Sequence, residues 1–287
     1  MSSFDNLLRV VRKNPFQLPA VPNVPRRTTT QSYTQKVIHP KQGNQILSPQ
    51  FLKPLIGLHV EEASKLIGAG EFDIGTGAKI NGPNGKSSIL TANHVVAQKG
   101  PSLALSVDKE GIVRGISVGP SAGDRESDIG VINPTIVIGD TGASLEIGNS
   151  TNSTQVKATR NFTSGKFSPE EGLVSVGSNG SKLEFEDPKG NLSHGASGAP
   201  IVDKDGYIKS LVQFGAVNSN HIWGENLTTP KAKQEIKDLQ REAQNKSFEG
   251  AWKGHSSLRK ATVYRLAQEN LDRTIFKNNE DPLNNAA

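Results

Sequence analysis

The chain has 287 residues, of which 34% are hydrophobic and 5% aromatic, and its net charge is +5. With 29 Gly and 16 Pro, this composition favours a loop-rich soluble protein of one large or two smaller domains over a helical bundle. The absence of cysteine excludes disulfides, thiolate metal ligands and cysteine nucleophiles. No apolar run reaches the ~20 residues that span a bilayer.

Residues 1–60 are predicted to form an irregular basic arm or pro-region. They hold seven of the 16 prolines, and eight basic residues against one acidic residue, so the arm carries +7 and residues 61–287 carry −2. We therefore expect that residues 61–287, the body of the protein, do not bind nucleic acid. The arm is expected to contact an acidic partner or surface, or to be a solvated tail.

Residues 4–11 contain an apolar stripe that Arg9 interrupts, so no classical signal peptide is predicted. The localisation stays open: the protein is either cytoplasmic or exported without a cleavable signal. An organellar transit peptide is a further alternative, because the segment is rich in arginine and poor in acidic residues.

Residues 66–228 show short apolar runs separated by turn residues, which predicts an all-β antiparallel fold of the sandwich or barrel type. Residues 203–206 join the last two runs and carry a strong hairpin-turn signal. The predicted strands lie at residues 72–80, 88–96, 102–107, 111–118, 129–132, 173–176, 182–185, 200–202 and 207–214.

The end of the chain is predicted to be helical. Thr229 followed by Pro230 is typical of a helix N-cap and first helical position. Ile236, Leu239 and Ala243 then fall on one face. Residues 246–287 are interpreted as a helical extension with a second helix at 257–276 and a tail.

The segment Gly195-Ala196-Ser197-Gly198 precedes a predicted strand directly. A serine between glycines can sit on a tight turn with its hydroxyl exposed, and the amides of Gly195 and Ser197 can then form an oxyanion hole. Taken alone, the segment is more typical of a small-residue turn before a hairpin.

His94 ends a hydrophobic run, and Asp128 leads directly into another. Each alone fits an ordinary role, a satisfied histidine or a capping aspartate. Together with Ser197 they supply a nucleophile, its general base and the carboxylate that orients the base. The chain order His, Asp, Ser differs from that of the subtilisins and the α/β-hydrolases.

Three segments resemble the signature blocks of the trypsin-like serine peptidases: Thr91-Ala92-Asn93-His94-Val95-Val96, Asp128-Ile129-Gly130-Val131 and Gly195-x-Ser197-Gly198-x-Pro200. The cysteine-free type is similar to bacterial glutamyl endopeptidases and to HtrA protease domains.

The resemblance covers roughly residues 66–245. It implies two six-stranded antiparallel β-barrels of the chymotrypsin type, packed at right angles, with residues 61–245 as the protease domain. His94 and Asp128 would come from the first barrel and Ser197 from the second. Ala196 stands where animal trypsins carry the activating aspartate, and too few residues follow the protease region for the PDZ domain of HtrA proteins.

The resemblance implies a serine endopeptidase that hydrolyses a polypeptide substrate through an acyl-enzyme, with the triad His94, Asp128 and Ser197. No metal or cofactor is expected. Two alternatives stay open: a binding protein with a protease fold and no turnover, and an esterase on the same triad.

The resemblance also implies that the strand after the Ser197 hairpin lines the substrate pocket. Its residues Gln213, Phe214 and Gly215 are therefore predicted substrate contacts, together with His221 and Ser193. An imidazole with hydroxyl and amide donors suits cleavage after Glu, Asp or Gln. The alternative is that His221 lies in a surface loop.

Overall fold

A computed structural model of the chain describes residues 32–38, 49–67, 69, 74–82, 85–96, 101–149, 155–158, 162–163, 166–167, 171–179, 181–189, 192, 194–215 and 220–246. The predicted helix at 257–276 and Ser193 lie outside these residues. Within them, no helix is long and apolar enough to cross a membrane.

An eight-stranded antiparallel sheet forms the first half of the fold. Its strand order is β6-β7-β3-β2-β1-β4-β5-β8. The strands are β1 (Thr34–Ile38), β2 (Ile74–Asn81), β3 (Ser87–Ala92), β4 (Ser102–Val107), β5 (Val113–Gly119), β6 (Ser121–Asp124), β7 (Ile129–Ile132) and β8 (Ile136–Gly139).

A seven-stranded antiparallel sheet forms the second half, and two short strands pair separately as a hairpin, β10 (Phe162–Thr163) with β11 (Lys166–Phe167). The order in the second sheet is β15-β14-β9-β12-β13-β17-β16. Its strands are β9 (Gln155–Ala158), β12 (Glu171–Asn179), β13 (Lys182–Glu186), β14 (Pro200–Asp203), β15 (Ile208–Leu211), β16 (Phe214–Gly215) and β17 (His221–Glu225).

Buried apolar residues join the two sheets. One cluster combines Leu90 and Ile129 of the first sheet with Val202 and Ile208 of the second. The antiparallel sheets confirm the predicted chymotrypsin-type all-β fold, and the described residues form eight and seven strands where two barrels of six were expected.

The helices are short except for the last one. They are α1 (Pro49–Leu52), followed by a 3-10 turn (Lys53–Leu55), α2 (Val60–Ile67), α3 (Asn93–Val96) and α4 (Pro230–Asn245). α1, the 3-10 turn and α2 cover the apolar face of the first sheet, where Leu52, Val60 and Ala63 pack with Leu103 and Ile116.

Helix α4 confirms the predicted start and buried face. The hydroxyl of Thr229 accepts a hydrogen bond from the amide of Ala232 at 3.2 Å, which satisfies one of the free amides of the first turn. Ile236, Leu239 and Ala243 are buried, and the helix packs against β6 and β7 of the first sheet.

The arm is not irregular throughout, which corrects the prediction for residues 1–60. Thr34–Ile38 form β1, whose five residues are all buried. This strand pairs with β2 on one side and with β4 on the other. The sequence prediction missed it because a strand buried between two neighbours needs no alternation, and Lys36 stands at its centre.

Candidate active site

His94 lies in the single helical turn α3, directly after β3. The sequence predicted one strand through residue 96, but the strand ends at Ala92 and the chain turns there. The amide of Asn93 donates to the carbonyl of Asp128 at 2.9 Å, which ties the start of the turn to the chain before β7. The imidazole of His94 is 47% exposed and faces solvent.

Both carboxylate oxygens of Asp128 face His94. Oδ1 accepts from the backbone amide of His94 at 2.9 Å, and Oδ2 lies 2.8 Å from Nδ1 of the imidazole. Because a carboxylate oxygen accepts a hydrogen bond here, Nδ1 carries the proton. Nε2 is then left as the basic nitrogen, which is the tautomer that a general base requires.

The backbone of Asp128 adopts a left-handed conformation, with φ of 55°. A residue other than glycine takes up this conformation only when its surroundings hold it there, and such positions cluster at functional sites. The turn directs the carboxylate toward His94 while the next residue, Ile129, enters β7 and is buried.

Ser197 lies on a turn between two glycines with positive φ, 94° at Gly195 and 83° at Gly198. Thr76 of β2 holds this turn at two points. Its hydroxyl donates to the carbonyl of Gly195 at 2.7 Å, and its amide donates to the carbonyl of Ser197 at 2.8 Å. A residue of the first sheet therefore fixes the turn that leads into the second.

The same turn packs closely against the strand that leads to His94. A Cβ atom on Gly198 would lie 2.2 Å from the carbonyl oxygen of Thr76 and 2.9 Å from the amide nitrogen of Ala92. A Cβ on Gly75 would lie 2.5 Å from a methyl carbon of Val95 and 3.1 Å from the carbonyl oxygen of Ser197. Only glycines permit this approach of the two backbones.

His94 and Asp128 are in direct contact, whereas the Ser197 hydroxyl is not bonded to His94. In the described part of the chain, neither that hydroxyl nor Nε2 of His94 makes a hydrogen bond, and the amides of Gly195 and Ser197 donate none. Catalytic hydrogen bonds are often long in the absence of substrate. Two free amides beside the serine are the donors that an oxyanion hole requires.

Charged side chains surround the residue before Asp128. The amide of Ser127 donates to Asp124 at 2.8 Å, which lowers the pKa of that carboxyl despite its partial burial. The hydroxyl of Ser127 also contacts Glu235 of α4, whose pKa is raised by burial and by the nearby Asp124. The ammonium of Lys182 reaches the carbonyl of Ser127 at 3.2 Å.

Gln213, a predicted substrate contact, lies beneath the Asp128 turn. Its side chain is only 4% exposed, and its amide nitrogen donates to the carbonyls of Ser127 and Asp128 at 2.8 and 2.9 Å. This placement does not fit a substrate contact, because the amide is occupied inside the protein. The sequence offered no signal for the contact, which joins residues 85 positions apart.

Phe214 and Gly215 form β16, in which they pair with Trp223 and Ile222 of β17. β16 is the last strand in the order of the second sheet, with β17 as its one neighbour. Its other edge is therefore free, among the described strands, to pair with an extended peptide.

His221 lies in strand β17 rather than in a surface loop. Its Nδ1 is 2.6 Å from Glu184 of β13, and its ring stacks on Trp223 with centroids 6.0 Å apart. The next residue, Ile222, packs in the apolar cluster that contains Ala196. Because side chains alternate along a strand, His221 faces away from that cluster. The predicted role of His221 in specificity stays a prediction that this placement does not support.

The described residues contain no group of three or more His, Asp or Glu side chains that is arranged to hold a metal ion.

The two-sheet fold and the His94–Asp128 pair beside the glycine-flanked serine are typical of the chymotrypsin-type class of proteins. No protein-family model and no curated protein matches the chain. The solved structures similar to it include proteases of this fold.

A serine protease of human pathogenic astrovirus is 15% identical, and the match covers 71% of this chain and 96% of that one with a TM-score of 0.44. A Glu endopeptidase is 21% identical over 58% of this chain and 86% of its own, with a TM-score of 0.47. A serine endoprotease from Yersinia pestis is 14% identical over 75% of this chain and 64% of its own, with a TM-score of 0.49. At these identities the likeness concerns the fold alone.

Proposed function

We propose that this protein is a serine endopeptidase with Ser197 as nucleophile, His94 as general base and Asp128 as the residue that orients His94. The observation that carries the proposal is the double contact of Asp128 with His94, at 2.8 and 2.9 Å, on a backbone that also approaches the Ser197 turn.

In the proposed reaction, the hydroxyl oxygen of Ser197 attacks the carbonyl carbon of the scissile peptide bond. Nε2 of His94 takes the hydroxyl proton, and the Asp128 carboxylate stabilises the imidazolium through the Nδ1 proton. The amides of Gly195 and Ser197 donate to the oxyanion of the tetrahedral intermediate. His94 then protonates the leaving amine.

The second half of the reaction releases the acyl group. Water replaces the leaving amine, His94 takes a proton from it, and the resulting hydroxide attacks the ester of Ser197. The ester bond breaks, the carboxylic product leaves, and the proton returns from His94 to the Ser197 oxygen.

A fluorophosphonate probe and fluorescently labelled casein test the proposal. The wild-type protein is expected to form a covalent adduct at Ser197 and to cleave casein. Ser197→Ala should form no adduct and lose on the order of 10⁴–10⁶ in turnover, with an unchanged circular dichroism spectrum.

Ser144→Ala is the matched control, because Ser144 is a half-buried serine in the segment after β8. This variant is expected to keep wild-type labelling and turnover. Casein cleavage by Ser197→Ala at the wild-type rate would refute the assignment. Labelling without casein cleavage, accompanied by hydrolysis of simple esters, would favour an esterase. An unreactive wild-type protein would favour a binding role.

A further inference from the structure

Gln213 is a buried amide between β15 and β16, and described contacts occupy both of its polar ends. The nitrogen donates to the carbonyls of Ser127 and Asp128 at 2.8 and 2.9 Å. The oxygen accepts from the amide of Glu225 at 2.8 Å and from the ammonium of Lys182 at 3.3 Å. The side chain thus reaches from the second sheet to the turn that carries Asp128.

The contacts to the oxygen fix which way the amide points. An amide oxygen only accepts, and both Glu225 and Lys182 offer donors to it. Lys182 is itself held by the carboxylate of Glu225 at 3.0 Å. Since a flipped amide would place two donors against Lys182 and Glu225, the nitrogen of Gln213 must face the two carbonyls.

The residue that Gln213 supports needs external support. Asp128 has a positive φ of 55° without being glycine, a conformation that persists only where the surroundings hold it. Its carbonyl accepts from the amide of Asn93 on one side and from Gln213 on the other. These two donors fix the peptide, and the fixed peptide keeps both carboxylate oxygens on His94.

We propose that Gln213 is a positioning residue for catalysis: it holds the Asp128 backbone so that the carboxylate orients His94. The role rests on the proposed peptidase function. Gln213 also links the sheet that carries Ser197 to the sheet that carries the base and the carboxylate, because its side chain, in the segment that follows β15, reaches the Asp128 turn.

Gln213→Met tests the inference, because methionine has nearly the same shape and cannot donate to the carbonyls. Gln240→Met is the matched control. Gln240 is also a buried glutamine, 3% exposed, whose amide donates to a backbone carbonyl, that of Asn81 at 3.1 Å. Both variants lose buried amide contacts, but only one of them loses contacts to the Asp128 turn.

The first measurement is the rate at which the fluorophosphonate probe labels Ser197. In Gln213→Met the maximal rate should fall about 10- to 100-fold, since small displacements of catalytic groups have effects of this size. The probe concentration for half-maximal rate should stay unchanged, because Gln213 does not touch the probe. The maximal labelling rate of Gln240→Met should stay within about two-fold of the wild-type rate, even if the two variants lose the same amount of thermal stability.

The second measurement is the proton resonance of Nδ1 of His94 in the Ser197→Ala background. A proton held by Asp128 exchanges slowly with solvent, and Gln213→Met should speed its exchange at least about ten-fold or broaden the signal away. Asp124, Glu235, Lys182 and Glu225, the charged groups around the turn, are the same in both proteins. This readout needs no activity, so it separates a failure of this inference from a failure of the peptidase assignment.

Gln213→Asn covers the case in which the methionine variant does not fold. It keeps the amide but shortens its reach, and we expect an intermediate loss of labelling rate. Wild-type labelling and an unchanged Nδ1 resonance in a folded Gln213 variant would overturn the inference. An equal loss in Gln240→Met would overturn it as well, because buried amide contacts in general would then be responsible.

Discussion

Removing β1 is expected to unfold the protein, although this strand lies within the predicted arm. A chain shortened to residues 51–287 lacks Thr34–Ile38, which pair with β2 and β4 at five positions each. The ten polar backbone groups of this strand are worth about 5–15 kcal/mol in net hydrogen bonding. Full burial of Val37 and Ile38 adds about 3–6 kcal/mol.

Ordering the five residues opposes this gain with about 5–10 kcal/mol of backbone entropy. The central values leave a net loss of about 7 kcal/mol, against a typical total stability of about 5–15 kcal/mol. The deletion would also leave β2 and β4 with unpaired inner edges, which promote aggregation. We therefore expect residues 51–287 to be insoluble or to lack a cooperative unfolding transition.

A chain of residues 32–287 is the matched control, because it loses most of the basic arm but keeps every described residue. It is expected to unfold cooperatively and to resist limited proteolysis. Thermal unfolding followed by circular dichroism compares the two chains. If residues 51–287 unfold cooperatively within about 5 °C of the control, the assignment of β1 as a necessary strand is wrong.

Two further substitutions probe the site. Gly198→Ala is expected to reduce both stability and labelling by the probe, because alanine is strained at φ of 83° and its Cβ would lie 2.2 Å from the carbonyl oxygen of Thr76. Wild-type stability in denaturant unfolding together with a wild-type labelling rate would contradict this. Glu235→Gln should raise the melting temperature at pH 7 but not at pH 4. Burial, and beyond it the carboxylate of Asp124, raise the pKa of Glu235, while the bond from Ser127 opposes the shift. The unfolded state therefore releases its proton first, and wild-type stability falls as the pH rises above the ordinary glutamate pKa. If Glu235→Gln and the wild type have the same melting temperature at pH 7 as well as at pH 4, the predicted direction of this pH dependence is wrong.

The triad candidates could be selected from the sequence because each carries a local signal. The turn at Ser197 needs glycines for its positive φ angles, and Asp128 directly precedes the buried strand β7. The start of α4 at Pro230 could also be predicted from a local signal, since a capping threonine and a proline mark it. Short-range chemistry decides features of this kind, so a sequence can show them.

Other features depend on contacts across the chain and left no local mark. β1 is a strand because β2 and β4 flank it, and a lysine at its centre conceals the pattern. Gln213 belongs to the strand that was expected to line the pocket, but its proposed role depends on carbonyls 85 and 86 positions away. Thr76 likewise lies in an unremarkable run of small residues, and its partner Gly195 is 119 positions distant.

The two hydrogen bonds from Thr76 to the Ser197 turn make the geometry of this turn depend on how the two sheets pack against each other. Neither sheet alone contains both partners of these bonds, since the donating hydroxyl and amide belong to β2 while the accepting carbonyls belong to the chain before β14. A slight separation of the sheets would release both bonds while each sheet kept its own ladder. If Ser197 is the nucleophile, as we propose, its reactivity should therefore disappear before the strands themselves come apart.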